Sequence, residues 1–326
     1  MGKTLVTGAT GFTGRHLCRR LVKDGRQVVA FVRSATGAES LKSEGVECRM
    51  VDITDRSAVR DNFDGIDKVY HLAAAYRTEL SDRTEFRTVN VEGSRHLLEA
   101  AKDNHVKRFV HCSTVGVQGE IHKPPAHEEY RTEPGDHYQE SKLAGERLAL
   151  EFFSNGLPGT VVRPVGIYGP GDVRFLKIFR PVSKGYFIMI GTGNVLYHMT
   201  YIDDLVEGFV LAGEHPNAIG NVFTIAGEKY TTLKELVNMI ADVIEKPRPK
   251  WRVPYFPVLA AAVLCDRFCR PFGINPPLYP RRVEFFSKDR AFSIEKAKNI
   301  LGYSPQVGLF DGLKRTAEWY RTQGMI

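Results

Sequence analysis

The stretch Gly8-Ala9-Thr10-Gly11-Phe12-Thr13-Gly14 decides the fold of this chain. It lies between an apolar run, Lys3–Thr7, which we expect to be a strand, and a helical pattern over Phe12–Asp24. Glycines at a strand-to-helix turn let the backbone approach a pyrophosphate, and the helix N-terminus presents free N–H groups to that anion. The alternative is a tight turn in an unrelated α/β fold. The position between strand and helix favours a dinucleotide site formed by Gly8, Thr10, Gly11, Phe12, Thr13 and Gly14.

The first half of the chain alternates short apolar runs with longer helical patterns. Further strands are predicted at Val28–Val32, Val46–Val51, Lys68–Leu72, Arg108–Cys112 and Thr160–Pro164. Long helices are predicted at Thr84–Asn104 and His137–Asn155. Strands that alternate with helices of this length imply crossover connections, and nearly continuous apolar strands are typical of sheets covered on both faces. The sequence therefore predicts an α/β fold with a doubly wound, Rossmann-type parallel sheet.

The regular alternation stops after Pro164. A chain of 326 residues corresponds to about two domains at roughly 150 residues each. We predict a dinucleotide-binding domain over residues 1–165, to which residues 196–226 return, and a smaller C-terminal α/β substrate domain mainly over 166–326. Tyr201-Ile202-Asp203-Asp204 leads into another helix, for which we expect an aspartate N-cap.

Composition narrows the class of protein. Hydrophobic residues make up 43% and charged residues 25%, which excludes disordered, collagen-like and low-complexity chains. The formal net charge of +7 is modest and forms no concentrated basic stripe, so no nucleic-acid partner is predicted. The five cysteines are too few for a disulfide scaffold, and Cys265 and Cys269 have no partners at metal-ligand spacing. We expect a cytoplasmic protein without targeting segment, spanning helix or metal site.

The residues that follow the second and third strands bear on the choice of cofactor. Phe31-Val32-Arg33-Ser34 ends the second strand without the carboxylate that would bond an adenosine 2′-hydroxyl. A guanidinium pairs well with a 2′-phosphate, so Arg33 favours NADP, with NAD as the alternative. Asp52, beside Ile53 after the third strand, is placed to accept a hydrogen bond from the adenine amino group, although a simple turn aspartate would look the same.

A tyrosine and a lysine open the helix after the fifth strand. Tyr138 and Lys142 are four residues apart and therefore share one helical face. A phenol is a poor proton acceptor at neutral pH, and a fixed ammonium nearby favours its ionised form. The preceding strand ends in Ser113-Thr114, which adds hydroxyls at the carboxyl edge of the sheet, where open α/β sheets bind ligands. An exposed helical pair is the alternative interpretation.

Together these segments resemble the extended short-chain dehydrogenases/reductases, the NAD(P)-dependent epimerase/dehydratase family. The matching motifs span residues 3 to about 210 and are Thr7-Gly8-x-x-Gly11-x-x-Gly14, His71-Leu72-Ala73-Ala74, Asn90-Val91-x-Gly93, Ser113-Thr114, Tyr138-x-x-x-Lys142, Arg163-Pro164, Tyr168-Gly169-Pro170 and Tyr201-Ile202-Asp203-Asp204-Leu205-Val206. The resemblance implies hydride exchange between a nicotinamide and a carbinol or carbonyl carbon. It also implies a homodimer formed through the two long helices.

The resemblance assigns roles by position. Tyr138 is the expected acid/base and Lys142 its modulator, while Thr114 bonds the substrate oxygen, with Ser113 as the alternative. Asn90 would position the cofactor and its helix. The cofactor contacts expected beyond the glycine loop are Arg33, Asp52, Ile53, Leu72, Ala73, Ala74, Ala75, Cys112, Tyr138, Lys142, Pro164 and Ile167. The substrate contacts expected are Tyr76, Thr114, Gly166 and His198, and Arg174 or Lys177 is a further candidate for an anionic substrate.

The substrate class remains divided between two branches of this family. Sugar-nucleotide epimerases and dehydratases usually carry Asn where this chain has Gly166, and Pro164 after Arg163 resembles the 3β-hydroxysteroid dehydrogenase and dihydroflavonol reductase branch. Arg33 and Gln118 depart from the sterol enzymes, so a smaller ketone or a lipid-like substrate is equally open. A fold that has lost its activity is disfavoured by the intact Thr114, Tyr138 and Lys142.

Residues 251–273 combine apolar side chains with flanking cations. Tyr255, Phe256, Leu259, Val263 and Leu264 are expected on one face, and Lys250, Arg252, Arg267 and Arg270 flank them. We consider three interpretations: a lid over an apolar substrate, a peripheral membrane anchor, and an ordinary helix packed on its own domain.

Overall fold

The computed structural model describes residues 2–76, 83–274 and 276–326. Its strands are β1 Lys3–Thr7, β2 Val28–Val32, β3 Glu47–Met50, β4 Ile66–His71, β5 Arg108–Cys112, β6 Gly159–Pro164, β7 Gly166–Tyr168, β8 Met189–Ile190, β9 Leu196–Tyr197, β10 Met199–Tyr201, β11 Val222–Ile225, β12 Thr231–Thr232 and β13 Arg252–Val253. Its α-helices are α1 Phe12–Lys23, α2 Ala35–Lys42, α3 Arg56–Asp61, α4 Arg83–Arg87, α5 Ser94–Asp103, α6 His137–Ser154, α7 Leu176–Ser183, α8 Ile202–Glu214, α9 Leu233–Val243, α10 Tyr255–Cys269, α11 Pro280–Glu284, α12 Glu295–Leu301 and α13 Leu309–Thr322.

A parallel sheet forms the centre of the molecule. Within the described part of the chain it has seven strands in the order β11-β6-β5-β4-β1-β2-β3. Apart from the edge strand β3, the strands are mostly buried, since apolar helices cover both faces and form two core clusters. The order reverses between β1 and β4, and such a switch point opens a crevice beyond the carboxyl ends of the strands. The predicted doubly wound fold is confirmed.

The local predictions differ in accuracy along the sheet. Strands β1, β2 and β5 have the predicted bounds, whereas β3 and β4 are shifted or shortened by one or two residues. The predicted single helix over Thr84–Asn104 consists of α4, a π-helical segment Thr88–Gly93 and α5. The expected aspartate cap of α8 is wrong. Tyr201 occupies the N-cap position, and the carboxylate of Asp204 accepts the backbone N–H groups of Gln306 and Val307 instead.

The second half of the chain builds a smaller layer over the carboxyl edge of the sheet. Strand β11 joins the central sheet beside β6, and α8 packs against α1. The remaining short strands pair as β7 with β10, β9 with β12 and β8 with β13. Tyr320 of α13 donates a buried hydrogen bond to the carbonyl of Asp172 (2.6 Å), which fixes the loop after β7. The domain bounds 1–165 and 166–326 stay a prediction.

Candidate active site

The glycine loop connects β1 to α1 and packs against the loop after β4. Gly8 has a φ of +71°, and a Cβ there would lie 2.7 Å from the backbone nitrogen of Ala73. A Cβ on Gly14 would lie 2.1 Å from the carbonyl oxygen of Gly8. Gly11 caps α1 with extended backbone and has no side chain with which to satisfy the first N–H groups of the helix. These residues therefore fit a dinucleotide pyrophosphate, which such a helix N-terminus recognises.

A cavity of about 670 Å³ adjoins this loop. Three basic side chains of α1 line it, namely Arg15, His16 and Arg19, together with Trp319 of α13. The sequence analysis did not predict these residues. The i, i+4 spacing of the two arginines directly after the glycine loop was the available signal. Arg174 lies in the same wall, with its guanidinium 5.6 Å from the ring centre of Phe12 and its Nε 2.7 Å from Asp172. The structure thus places Arg174 at the glycine loop.

The residues predicted to contact the adenosine lie at the carboxyl ends of β2 and β3. Arg33 is exposed there, and Ser34 caps α2 by accepting the N–H of Gly37 (3.3 Å). One oxygen of Asp52 accepts both the N–H and the hydroxyl of Thr54, at 2.9 and 2.8 Å. Ile53 is buried, so its side chain serves the core beneath this edge.

Helix α6 carries the tyrosine and lysine into the crevice. Lys142 is 4% exposed, and its Nζ donates a hydrogen bond of 2.6 Å to the carbonyl of Cys112, which brings α6 to the end of β5. Burial lowers the pKa of Lys142, while Cys112 and Glu146 oppose the shift. The ring of Tyr138 stands edge-on to Tyr76, with ring centres 5.3 Å apart. Tyrosine, lysine and the predicted substrate contact Tyr76 therefore meet at one edge of the sheet.

The two hydroxyls after β5 point to different partners. Ser113 is buried and donates a hydrogen bond of 2.5 Å to Glu146, whose carboxylate also pairs with Arg163. Thr114 accepts the N–H of Gly116 (3.1 Å) and thereby caps a short 3₁₀ turn. Because that bond uses an acceptor position, the hydroxyl proton of Thr114 stays available for a ligand. The geometry favours Thr114 over Ser113 as the substrate-facing hydroxyl.

Asn90 lies in the π-helical segment Thr88–Gly93 and bonds to two neighbouring elements. Its side chain accepts the N–H of Ala75 (2.8 Å) and donates to the carbonyl of Ala75 (3.2 Å) and to Ser141 (2.9 Å). Asn90 is 1% exposed. One buried amide therefore joins the loop after β4 to α6, and the widened helical turn presents it to both. This position supports the predicted role in shaping the cofactor site.

A buried hydrogen-bond chain fixes the loop at residues 72–75. The imidazole of His71 contacts the hydroxyls of Thr7 (2.7 Å) and Ser94 (2.8 Å). Thr7 in turn accepts the N–H of Ala73 (3.2 Å). Burial lowers the pKa of His71 to about 3, and the nearby Lys142 adds to that shift. A neutral imidazole therefore holds Leu72, Ala73, Ala74 and Ala75 along the carboxyl edge.

The remaining predicted contacts divide into two groups. Pro164 ends β6, and Gly166 and Ile167 lie on β7 opposite β10, which places them beyond the carboxyl edge. The contact of His198 with substrate stays a prediction, and the structure shows its imidazole bonded to backbone. The residue is 2% exposed, its Nε2 donates to the carbonyl of Gly227 (2.8 Å), and its Nδ1 accepts the N–H of Phe292 (3.4 Å). Both ring nitrogens are thus used by backbone.

Within residues 2–76, 83–274 and 276–326, no group of three or more His, Cys, Asp or Glu side chains is arranged to hold a metal ion. The start of α6, which carries Tyr138 and Lys142, packs against the 3₁₀ turn that Thr114 caps.

Comparisons with known proteins identify the family. A family model described as "NAD dependent epimerase/dehydratase family" matches residues 4–226. The chain is 31% identical over 96% of its length to 3β-hydroxysteroid-dehydrogenase/decarboxylase isoform 2 of Arabidopsis thaliana, and the match spans 61% of that longer protein. It is 30% identical to sterol demethylase protein B of Methylococcus capsulatus, over 99% of both chains. The UDP-glucuronic acid 4-epimerase of Bacillus cereus, crystallised with NAD, is 30% identical, with a TM-score of 0.77 over 98% of this chain and 99% of that one.

The sheet, the glycine loop and these likenesses define an NAD(P)-dependent enzyme of the extended short-chain dehydrogenase/reductase type. The chain belongs to the NAD dependent epimerase/dehydratase family.

Proposed function

We propose that this protein transfers hydride between a nicotinamide cofactor and a secondary alcohol or ketone on a steroid-like or lipid-like substrate. The observation that carries the proposal is the junction of α6 with the end of β5, where Lys142 is anchored on the carbonyl of Cys112 beside Tyr138 and Thr114. A proton donor, its modulator and a second hydroxyl stand together at the edge of the sheet where ligands bind.

The side chains divide the work of proton transfer. When bound, the cofactor supplies or accepts the hydride. In reduction, Tyr138 gives its hydroxyl proton to the substrate oxygen, and Thr114 donates a hydrogen bond to the same atom. Lys142 holds positive charge one helical turn from the phenol, which favours the phenolate that remains after proton transfer. Asn90 keeps α6 and the loop at Ala75 in register during the reaction.

We infer that NADP is preferred to NAD. The exposed Arg33 stands where a carboxylate would exclude a 2′-phosphate, and the N-terminus of α2 follows directly. Two variants test this inference: Arg33→Asp reverses the charge at this position, and Arg33→Lys keeps the positive charge without the guanidinium. Arg33→Asp should weaken NADPH binding by at least about tenfold and spare NADH, since removing one charged phosphate contact costs about 1.5–3 kcal/mol. Equal affinity of the wild type for both cofactors would contradict the inference.

The steroid-like or lipid-like substrate class is supported by two observations. Relatives matched over nearly the whole chain are named as hydroxysteroid dehydrogenase/decarboxylase and sterol demethylase. Beside Tyr138, the ring of Tyr76 is 50% exposed and gives the candidate site an aromatic wall, behind which Phe86 is buried against Tyr138. Such walls suit an apolar alcohol better than a sugar with many hydroxyls.

The proposal is tested with Tyr138→Phe. This variant keeps the ring and its packing on Tyr76, so cofactor binding measured by fluorescence should stay within about twofold of wild type. Turnover of 3-hydroxysteroids or hydrophobic ketones, followed at the nicotinamide absorbance, should fall by at least about 10²-fold. Turnover near that of wild type would remove Tyr138 from the acid/base role.

A second candidate is a nucleotide-sugar 4-epimerase or dehydratase with tightly bound NAD. The likeness to the Bacillus cereus epimerase over nearly the whole chain favours it. That activity interconverts UDP-sugars without net change in nicotinamide absorbance, and the cofactor copurifies with the protein. Mass spectrometry of the denatured, purified protein together with a UDP-sugar assay distinguishes the two candidates.

A further inference from the structure

Helix α10 has far more apolar surface than its own domain covers. Of its 15 residues only two, Asp266 and Arg267, are charged. A helix that is apolar around most of its circumference is ordinarily buried. Here Ala262 is the buried residue of the helix, whereas Phe256 is 79% and Phe268 is 69% exposed. The interpretation as an ordinary packed helix leaves this surface unexplained.

The exposed side chains lie on one face. Phe256, Val263, Leu264 and Phe268 follow the spacing i, i+7, i+8 and i+12, which places them along the same side of an α-helix. Ala262 lies on the opposite side and anchors the helix to the molecule. Leu259 and Tyr255, predicted for the apolar face, are only partly exposed. The hydroxyl of Tyr255 accepts a hydrogen bond from the hydroxyl of Ser287 (3.0 Å). We call Phe256, Val263, Leu264 and Phe268 the exposed face.

Aromatic and cationic side chains border the exposed face at both ends. Trp251 precedes the helix and is 74% exposed, and Phe272 follows it at 76%. Lys250, Arg252 and Arg267 are exposed and have no ion-pair partner among the described residues. An apolar helix face bordered by tryptophan, phenylalanine and unpaired cations is the chemistry of the interface of an anionic bilayer.

The exposed face is connected to the candidate active site. Helix α11 packs against α10, and Arg281 of α11 forms an ion pair with Asp136. Asp136 is the N-cap of α6, two residues before Tyr138. Helix α11 therefore links the exposed face to the start of the helix that carries Tyr138. Among the described residues no helix is both long and apolar enough to cross a membrane, so contact would be made from one side.

We propose that the exposed face of α10, with Trp251, Phe272 and the flanking cations, docks onto an anionic lipid surface. The side chains enter the boundary between headgroups and acyl chains, and Lys250, Arg252 and Arg267 meet the lipid phosphates. This docking does not require the proposed reaction, so its test uses no turnover. It gives a protein that acts on lipid-like molecules direct access to the phase that dissolves them.

The test is cosedimentation of the purified full chain with vesicles of phosphatidylcholine, alone or with about a third phosphatidylglycerol. Wild type should sediment with the anionic vesicles and be released at about 0.5 M salt, where charge attraction is screened. The double variant Phe256→Ser/Phe268→Ser should lower the partition coefficient by about tenfold or more. Arg252→Gln/Arg267→Gln should lower it by about fivefold per charge removed.

Phe310→Ser is the matched control, because Phe310 is 48% exposed on α13 and lies outside the exposed face. It should bind vesicles as wild type does. Circular dichroism and melting temperature show that each variant is folded, and cofactor binding shows that the site is intact. Wild type that stays in the supernatant with anionic vesicles overturns the proposal. The proposal is also overturned if sedimentation velocity shows that the wild type is a dimer and that Phe256→Ser/Phe268→Ser is a monomer. The exposed face would then bind a second copy of the chain.

Discussion

The neighbouring hydroxyls of Ser113 and Thr114 allow a sharp test of the site, because they have different hydrogen-bond partners. Ser113 donates to the buried carboxylate of Glu146, and Thr114 keeps its proton for a ligand. Ser113→Ala should therefore damage stability and spare turnover. Thr114→Val, which preserves shape and removes the hydroxyl, should damage turnover and spare most of the stability.

The magnitudes follow from the contacts. A hydrogen bond to a charged group contributes about 1.5–3 kcal/mol, and Glu146 keeps its pair with Arg163 in the variant, so Ser113→Ala should cost about 2 kcal/mol of unfolding free energy. Thr114→Val loses a cap of a short turn, which costs about 1 kcal/mol. Removing one hydrogen-bond donor to a reacting oxygen lowers turnover by about 10²–10³-fold, or about 2.7–4 kcal/mol of transition-state stabilisation.

Urea unfolding gives the first quantity, and kcat/KM with NADPH gives the second. Thr114→Ser serves as the matched control, because it restores the hydroxyl without the methyl group and should recover turnover to within about tenfold of wild type. The reasoning fails if Ser113→Ala abolishes turnover at wild-type stability while Thr114→Val remains active. In that case Ser113 would be the substrate-facing hydroxyl.

Three further perturbations test the scaffold of the site. Gly14→Ala places a Cβ 2.1 Å from the carbonyl of Gly8, so isothermal titration should show at least about tenfold weaker cofactor binding. Asn90→Ala removes the three hydrogen bonds of a buried side chain and should cost about 3 kcal/mol in urea unfolding. His71 has a pKa of about 3 when folded and about 6.5 when unfolded, so stability falls as pH drops below about 6.5, by about 2 kcal/mol at pH 5.

Each of these outcomes has its own control. Gly308→Ala, at a glycine with ordinary φ where an added Cβ would meet nothing closer than 3.8 Å, should leave cofactor binding unchanged. Asn90→Asp keeps the acceptor for Ala75, so a loss equal to that of Asn90→Ala would show that the acceptor bond is unimportant. The variant His71→Gln should reduce the slope of stability against pH between 7 and 5. An unchanged slope would assign the acid sensitivity to other groups.

The sequence determined the parts of this protein that depend on local pattern. The strand-to-helix position of the glycine loop and the apolar runs predicted β1, β2, β5 and the parallel sheet, because periodicity and turn chemistry act over a few neighbouring residues. The four-residue spacing of Tyr138 and Lys142 likewise places both on one face of α6, because one helical turn separates them.

Only the tertiary structure decided how polar groups are used. Ser113 and His198 bond to Glu146, Gly227 and Phe292, which lie between 29 and 94 residues away in the chain. The π-helical turn contains Asn90, whose side-chain amide donates to Ser141, 51 residues away. The exposure of the apolar side chains of α10 likewise depends on how the rest of the chain packs. A sequence fixes the hydrogen-bonding capacity of each side chain, but the partner that satisfies it is set by folding, because burial and distance are properties of the whole chain.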